Sequence, residues 1–274
     1  MTDESAPRFP SEIVAHYTEG MEQPRLDRGA GRLEFARTCL ILEKALPSPP
    51  ARVLDVGGGP GRYAEWLTAG GYDVHLIDAV HLHVEQARAR SNGYTVALGD
   101  ARELHEPDAS CDAVLLFGPL YHLTEDADRR RTLREAGRVV RPGGPVVVAA
   151  ISRFASLLDG LWRHLLDDPT FESIMERDLR EGQHRNPENR SHWFTTAYFH
   201  HPDELAQEIR DAGLDLDGVL AVEGPGWLLP DLEARWGNER KRQQLLDAIA
   251  RLEREPSTMG VSAHLLALAR RPVA

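Results

Sequence analysis

Three glycines recur at every second position in the segment 57–61, shortly after an apolar run ends in Asp55. Such spacing suits a tight turn whose backbone approaches a ligand too closely for any Cβ atom. The stretch 62–67 that follows has helical character, so free N–H groups and a positive dipole end would face the same ligand. The pattern predicts a site for a nucleotide-type ligand. A dinucleotide fingerprint would need glycine at position 62, where Arg62 stands.

Two acidic residues follow the next predicted strands. Asp78 comes directly after the strand 74–77, about 20 positions beyond the first glycine, where a carboxylate can accept both ribose hydroxyls. NAD enzymes use the same device, so Asp78 alone does not distinguish the cofactor. The third strand, 95–98, ends at Gly99, which Asp100 and Ala101 follow.

The pattern D-x-G-x-G-x-G at 55–61 resembles motif I of the class I S-adenosylmethionine-dependent methyltransferases. In that family an Asp at the place of Asp100, with the following N–H, holds the adenine edge. A fourth strand is predicted over 112–117, and Arg141–Gly144 is similar to the family's "LRPGG" turn, with Val140 in place of leucine. The resemblance covers residues 51–150 well, the carboxyl-terminal strands moderately and 152–200 hardly at all.

The resemblance implies S-adenosyl-L-methionine as the cofactor and assigns parts of it to residues. The glycines would lie beside its amino-acid tail, Asp55 would orient the turn or take the ammonium through water, and Asp78 would take the ribose. Similar bacterial methyltransferases close an amino-terminal helix over the site and present a tyrosine, which here would be Tyr17. The full predicted set is Tyr17, Asp55, Gly57, Gly59, Gly61, Asp78, Ala79, Asp100, Ala101, Phe117 and Gly118.

Three of these predictions have structural alternatives. Asp55 would also suit a turn aspartate without ligand contact. A purely structural glycine turn is a weaker alternative for Gly57 and Gly59, because the other landmarks agree with a ligand site. Tyr17 would also suit an amphipathic helix that packs Ile13 and Val14 on the core.

Methyl transfer from a sulfonium needs mainly alignment and exclusion of water, and positioning alone can lower a barrier by roughly 7–11 kcal/mol. A general base adds about 10²–10⁴-fold when the acceptor is a hydroxyl. His122 follows the fourth strand, where the family places residues nearest the methyl, and is a candidate base; a histidine bonded within the turn is the alternative. The Asn/Asp-Pro-Pro-Tyr motif of related N-methyltransferases is missing, which disfavours DNA or protein-amide substrates.

The segment 152–200 breaks the strand–helix alternation and is predicted to be a cap over the carboxyl ends of the strands. The aromatic residues and histidines of this segment predict a substrate pocket with aromatic walls and one titrating histidine. His192 and His200 are therefore further catalytic candidates. A solvated loop is the alternative. No metal is predicted, because the histidines lack a recognisable ligand spacing. Trp227 would line the same mouth or belong to the core.

The alternation of strands and helices predicts a Rossmann-like α/β fold with a seven-stranded, mostly parallel sheet and helices on both faces. Residues 1–50 are predicted to form a helical lid, and 51–274 the methyltransferase domain with a cap at about 152–200. A sixth strand near 219–222, one long helix over about 231–253 and an antiparallel last strand at 263–269 complete the prediction.

Composition narrows the class of protein. The 274 residues carry a formal charge of −11, which disfavours a broad nucleic-acid-binding surface. The one dense basic run, 129–131, is predicted to be a solvated helix face. Two distant cysteines indicate a reducing cytoplasm, and neither a signal-peptide core nor a membrane-length apolar run is evident. We expect a soluble, cytoplasmic monomer or homodimer.

The prediction is therefore a methyltransferase that moves a methyl group from S-adenosylmethionine to an oxygen or nitrogen of a small molecule. Three alternatives stay open: an NAD-dependent oxidoreductase, a non-catalytic or regulatory S-adenosylmethionine-binding protein, and an RNA methyltransferase. Arg62 and the Asp100–Ala101 pair argue against the first, and the acidic charge argues against the last.

Overall fold

The computed structural model describes residues 11–18, 25–190 and 193–273. Its strands are β1 (Arg52–Val56), β2 (Asp73–Asp78), β3 (Thr95–Leu98), β4 (Ala113–Leu116), β5 (Pro145–Ser152), β6 (Gln183–His184), β7 (Ala197–His200), β8 (Asp215–Ala221) and β9 (His264–Arg270). Its helices are α1 (Ser11–Thr18), α2 (Gly29–Ala45), α3 (Arg62–Ala69), α4 (His81–Arg90), α5 (Pro119–His122), α6 (Asp126–Val139), α7 (Ala155–Arg163), α8 (Pro169–Glu181), α9 (Pro202–Asp211), α10 (Leu232–Trp236), α11 (Glu239–Leu252) and α12 (Pro256–Met259). Three 3-10 turns span Arg25–Asp27, Leu165–Asp167 and Gly224–Leu228.

The first five strands form a parallel sheet in the order β3-β2-β1-β4-β5. Its central strands are apolar on both faces, as β4 shows with all four residues buried. Helices therefore cover both sides, and the carboxyl ends of the strands meet at one edge. The segments that carry the predicted cofactor residues 55–61, 78–79, 100–101 and 117–118 all lie at this edge.

Strands from the second half of the chain complete the sheet. Strand β9 runs antiparallel to β5 and also pairs with β8, as predicted for the last two strands. Strand β7 pairs in parallel with the end of β5 at Ile151 and Ser152, and β6 pairs antiparallel with β7. Since β4 and β9 already flank β5, β7 extends the sheet beyond the end of β4. The seven predicted strands are thus joined by two short ones from the insertion.

The insertion between β5 and α9 contains two helices besides its hairpin of strands. Helices α7 and α8 pack around a small apolar cluster of their own that includes Phe171, Ile174, Met175 and Trp193. Asp168 caps α8 by accepting a hydrogen bond from the N–H of Thr170 at 2.9 Å. The segment is therefore a partly helical unit with an apolar cluster of its own. Its role as a substrate cap stays a prediction, as do the domain boundaries.

Two sequence-based expectations differ from the structure. The predicted helix over 231–253 is interrupted, because α10 ends at Trp236 and Asn238 starts α11 by accepting from the N–H of Lys241. The basic run is not uniformly solvated. Arg129 is 2% exposed and its guanidinium donates to Glu208 at 2.7 Å, whereas Arg131 is on the surface.

Candidate cofactor and acceptor site

The glycine turn has the backbone that only glycine adopts readily. Gly57, Gly59 and Gly61 have φ values of +77°, +55° and +86°. A Cβ atom on Gly57 would lie 2.5 Å from Cδ of Pro119, whereas one on Gly59 would meet nothing within 4 Å. The turn is thus packed tightly on one side and open on the other. The open side faces a cavity.

This glycine-turn cavity lies at the carboxyl edge of the sheet. Its wall includes nine of the eleven residues predicted to bind the cofactor, namely Tyr17, Gly57, Gly59, Asp78, Ala79, Asp100, Ala101, Phe117 and Gly118. Within the described residues, Asp55 and Gly61 are not part of that wall. A Cβ atom on Gly61 would clash with the hydroxyl of Tyr94, and Gly61 is the N-cap residue of α3.

Asp78 organises the rim of the cavity. One carboxylate oxygen accepts the N–H of Gly59 at 2.9 Å, and the other accepts the N–H of Val80 at 2.8 Å. The second oxygen also accepts from Nδ1 of His83 at 3.2 Å. Asp78 is only 6% exposed, so the turn and the loop after β2 are tied to one carboxylate at the cavity wall.

Asp55 lies beneath the turn. Its side chain is fully buried, and neither carboxylate oxygen has a hydrogen-bond partner among the described residues. Burial, and the nearby charge of Asp78, raise the pKa of Asp55 to about 7. A Cβ atom on Gly58 would lie 2.6 Å from Oδ2 of Asp55, so the carboxyl group of Asp55 fills the space under the turn.

At pH values above 7, we expect the Asp55→Asn variant to melt at a temperature roughly 5 °C higher than the wild type. The folded state binds the Asp55 proton more tightly than the unfolded chain, whose pKa is near 3.8, so stability falls as pH rises from about 4 to about 7. Asparagine has no such ionisation, so the difference between variant and wild type should disappear near pH 4. Thermal melts from pH 4 to 9 measure this, with the exposed Asp73→Asn as the control. A difference that does not change with pH would contradict the assigned pKa.

Asp100 and Ala101 form another part of the wall. Asp100 accepts from Nη2 of Arg102 at 2.7 Å and from the backbone N–H of Arg102 at 2.9 Å. Although burial alone would raise the pKa of Asp100, these hydrogen bonds lower it. The carboxylate is therefore ionised and held in place at the cavity.

Tyr17 and His122, which both line the glycine-turn cavity, form a hydrogen-bonded pair. Nδ1 of His122 lies 3.4 Å from the carbonyl oxygen of Thr196, which can only accept, so Nδ1 carries the proton. Nε2 then accepts from the hydroxyl of Tyr17 at 2.6 Å. Burial lowers the pKa of His122 to about 4, so the ring is neutral and both of its nitrogens are engaged.

A second cavity lies next to the first one and shares part of its wall. We call it the aromatic cavity, and its wall includes Phe171, His184, Trp193, Phe194, Phe199 and Trp227. The two cavities share four residues, which we call the junction: Tyr17, Arg25, Tyr121 and His264. The predicted aromatic pocket in the insertion thus has a counterpart next to the glycine turn. Tyr198 and His201, also chemistry-capable, are not in its described wall.

The two other residues predicted to be catalytic are His192 and His200. His192 lies outside the described residues. His200 is completely buried and is not among the described lining residues of either cavity. Its Nε2 lies 3.3 Å from Glu208, whose pKa is held at about 2, against the effect of burial, by hydrogen bonds from His200 and Arg129. The structure therefore places His200 in a buried ion-pair network.

Sequence reasoning missed a polar cluster at the junction. Nδ1 of His264 donates to Glu223 at 2.5 Å and lies 3.7 Å from Glu34, which also pairs with Arg25. One possible metal-ligand atom from each of Glu34, Glu223 and His264 lies within 4.8 Å of the other two, which is close enough for all three to bind one metal ion. Arg25 and His264 already balance the two carboxylates, so the cluster is neutral without one. These residues come from distant parts of the chain and carry no motif.

His83 is a second residue that the sequence did not single out. It lines the glycine-turn cavity, and its Nδ1 donates to Asp78. Its Nε2 is buried and has no hydrogen-bond partner among the described residues. A buried polar atom of this kind is costly unless a ligand or water satisfies it.

Comparison with known proteins assigns the family. A family model for the methyltransferase domain matches residues 53–144. A probable S-adenosylmethionine-dependent methyltransferase of Mycobacterium tuberculosis is 32% identical over 217 residues, which cover 79% of this chain and 68% of that relative. The chain belongs to the S-adenosylmethionine-dependent methyltransferases. This confirms the predicted family and its cofactor, S-adenosyl-L-methionine.

Other methyltransferases are similar over different lengths. A ubiquinone/menaquinone biosynthesis C-methyltransferase of Acidiphilium cryptum is 30% identical over 198 residues, 67% of this chain and 76% of that relative. Three uncharacterized mycobacterial methyltransferases are 36% identical over 99 residues, and the chain spans 39% of their length. The structure of a SAM-dependent methyltransferase from Methanosarcina mazei has a TM-score of 0.57 at 19% identity, covering 85% of this chain and 98% of that one. The predicted Rossmann-like methyltransferase fold is confirmed.

The residues at the glycine-turn cavity fit the cofactor of this family. The space beside Gly59, which a Cβ atom would partly fill, leaves room for a ligand next to the backbone. The unpaired Nε2 of His83 offers that ligand a polar contact. Asp78 supplies a fixed carboxylate next to both. When bound, S-adenosylmethionine supplies an activated methyl group on sulfur. None of the described helices is both long and apolar enough to span a membrane.

Proposed function

We propose that this protein transfers the methyl group of S-adenosylmethionine to an oxygen or nitrogen atom of a small molecule. One observation carries the proposal: the aromatic cavity and the glycine-turn cavity are neighbours that share four lining residues, those of the junction. A methyl donor in one cavity and an acceptor in the other would meet at that junction. An aromatic wall suits an acceptor with a flat, apolar body.

We assign the cofactor as follows. The turn of Gly57, Gly59 and Gly61 receives the amino-acid tail, supported from below by Asp55 and bordered by Phe117 and Gly118. Asp78, with Ala79, receives the ribose hydroxyls, and Asp100 with Ala101 receives the adenine. His83 adds a polar contact near the ribose. The assignment rests on which side chains line the cavity and on the fixed orientation of the two carboxylates.

Helix α1 acts as a lid in this proposal. Tyr17 is bonded to His122 after β4, and Thr196 of the insertion donates its hydroxyl to Oε1 of Glu12 at 3.0 Å. Two separate parts of the site thus hold α1 across the cavities. His122 then acts mainly by orienting Tyr17, because its lone pair on Nε2 is already engaged. His192 stays a candidate, whereas His200 has no role in this proposal because it lines neither cavity among the described residues.

A carbon acceptor is the second candidate for the methylated atom. The observation that favours it is the 30% identity to the quinone-pathway C-methyltransferase of Acidiphilium cryptum. An electron-rich aromatic ring would fit the same aromatic cavity, so the two candidates differ in the atom that attacks and not in the site.

The test is a measurement of S-adenosylhomocysteine formed by the purified protein. Phenols, aromatic amines and hydroxylated quinones are supplied one class at a time, with short RNA as a further arm, and methylated products are identified by mass spectrometry. We expect turnover with a small aromatic acceptor and none with RNA. Cofactor binding without S-adenosylhomocysteine formation from any acceptor would support a regulatory role and contradict methyl transfer. Light scattering tests the predicted monomer or homodimer, and the predicted cytoplasmic location is a separate expectation.

A further inference from the structure

We propose that the pair of Glu223 and His264 removes the proton from an acceptor hydroxyl, so that the acceptor is an aromatic compound methylated on oxygen. The proposal rests on the proposed function and narrows it from oxygen or nitrogen to oxygen. It adds a catalytic residue, His264, that belongs to none of the sequence motifs.

His264 is anchored in one orientation by a buried carboxylate. Nδ1 donates to Oε1 of Glu223 at 2.5 Å, and the other oxygen of Glu223 accepts from Ser262 Oγ at 2.9 Å and from the N–H of His264 at 3.0 Å. Glu223 is only 1% exposed. The carboxylate therefore fixes the ring orientation, and when the ring loses one proton it keeps the remaining proton on Nδ1, so that the lone pair is on Nε2. This is the arrangement in which a histidine presents Nε2 to a substrate.

The other ring nitrogen of His264, Nε2, is open. It has no hydrogen-bond partner among the described residues, and the side chain is 26% exposed although it lies in the walls of both cavities. An acceptor in the aromatic cavity could therefore reach this nitrogen at the junction. The methyl group must arrive at the same place.

The other histidines that line the cavities are engaged or lie away from the junction. His122 has partners on both nitrogens, Tyr17 and Thr196. Both nitrogens of His184 face acceptors, a carboxylate oxygen at 2.7 Å and a backbone carbonyl oxygen at 3.2 Å. His83 has a free Nε2, but it lines the glycine-turn cavity only. Among the described histidines, His264 alone combines an open nitrogen with a position at the junction.

The charges around His264 set the pH at which it works. Glu34 on α2 and Glu223 after β8 face the ring, and Arg25 from the 3-10 turn Arg25–Asp27 faces it as well. Burial and Arg25 alone would lower the pKa of His264, but the two carboxylates raise it to about 9. The pKa of His264 is therefore close to the pKa of a phenolic hydroxyl, which is about 10. Proton transfer between the two groups is therefore nearly balanced, but only the deprotonated ring can accept the proton, so activity should rise with pH up to about 9.

The step conserves atoms and charge. The acceptor oxygen forms a bond to the methyl carbon as the carbon–sulfur bond breaks, and that electron pair goes to sulfur. The hydroxyl proton passes to Nε2 of His264, which becomes an imidazolium stabilised by Glu223 and Glu34. The proton then leaves to solvent. The products are an aryl methyl ether and S-adenosylhomocysteine.

The experiment is a pH profile of kcat/KM with the phenol that the wild type methylates best. We expect log(kcat/KM) to rise by about one per pH unit up to about pH 9, because the free ring is the active form. His264→Gln is expected to lower kcat/KM by about 10²–10³-fold and to flatten this slope. In His264→Ala, added imidazole is expected to restore part of the activity. Glu223→Gln is expected to move the rising limb to lower pH.

Two controls separate chemistry from folding. His105→Gln, at an exposed position, should leave the profile unchanged. Titration calorimetry should show that His264→Gln binds S-adenosylhomocysteine within about threefold of the wild type.

The outcomes distinguish the two proposals. Wild-type turnover of amines or ring carbons but of no hydroxyl acceptor would overturn the role of His264 and leave methyl transfer intact. A His264→Gln variant that keeps the pH slope of the wild type would overturn that role in the same way. Absence of turnover with every acceptor would overturn the proposed function itself, and this inference with it.

Discussion

Asp78→Asn is expected to weaken binding of S-adenosylhomocysteine about 100-fold. The carboxylate is oriented by Gly59, Val80 and His83 at the cavity wall, and we expect it to contact both ribose hydroxyls, more strongly through the oxygen that accepts only from Gly59 and keeps a lone pair. Hydrogen bonds to a charged group contribute about 1.5–3 kcal/mol each, and the neutral amide loses most of one and weakens the other. A combined loss of about 2.7 kcal/mol corresponds to the stated factor. Titration calorimetry measures it.

The matched variants for this experiment separate the ribose contact from damage to the turn. Asp73→Asn lies on the same strand at the opposite edge and is exposed, so its affinity should match the wild type. A nucleoside analogue without the 2′-hydroxyl should lose affinity for the wild type and little more for Asp78→Asn. Equal affinities of wild type and Asp78→Asn for S-adenosylhomocysteine would show that the carboxylate does not hold the ribose.

Gly59→Ala is expected to weaken S-adenosylhomocysteine binding by at least about 50-fold while the protein stays folded. The added Cβ meets no protein atom within 4 Å, and it points into the space proposed for the amino-acid tail. Its cost to stability is limited to adopting φ +55° with a side chain, about 1–2 kcal/mol. A 50-fold loss corresponds to about 2.3 kcal/mol of binding free energy, which a steric block of a close backbone contact can remove.

The chain contains a matched control for this variant. Gly213 has φ +83° and also no atom within 4 Å of its missing Cβ, but it lies between α9 and β8, away from the cavities. Gly213→Ala should lower the melting temperature about as much as Gly59→Ala and leave cofactor affinity unchanged. If both variants bind equally well, the open side of the turn is not the binding surface.

The local parts of the fold were predictable because each has a signal within a few residues. Continuous apolar runs mark the buried parallel strands, and glycine spacing marks the turn at 57–61. Asn238 would also have revealed the break between α10 and α11, since Gly237-Asn238 combines a helix stop with a preferred N-cap.

The polar cluster at the junction could not be predicted in this way. Glu34, Glu223 and His264 lie far apart in the sequence and meet only because β9 turns back beside β5 and α2 packs against the same edge. Each is an ordinary polar residue in its own segment. His200 shows the converse case: its neighbours in the sequence looked rich in chemistry, but the structure places it in the interior beside Glu208, which is itself bonded to Arg129.

A crystal structure with bound S-adenosylhomocysteine would show directly whether the methyl donor reaches the junction. We predict the homocysteine tail along the Gly57–Gly61 turn, the ribose hydroxyls on Asp78, and the sulfur facing the junction of Tyr17, Arg25, Tyr121 and His264. A nucleoside bound elsewhere, or a sulfur atom turned away from the aromatic cavity, would contradict the proposed site.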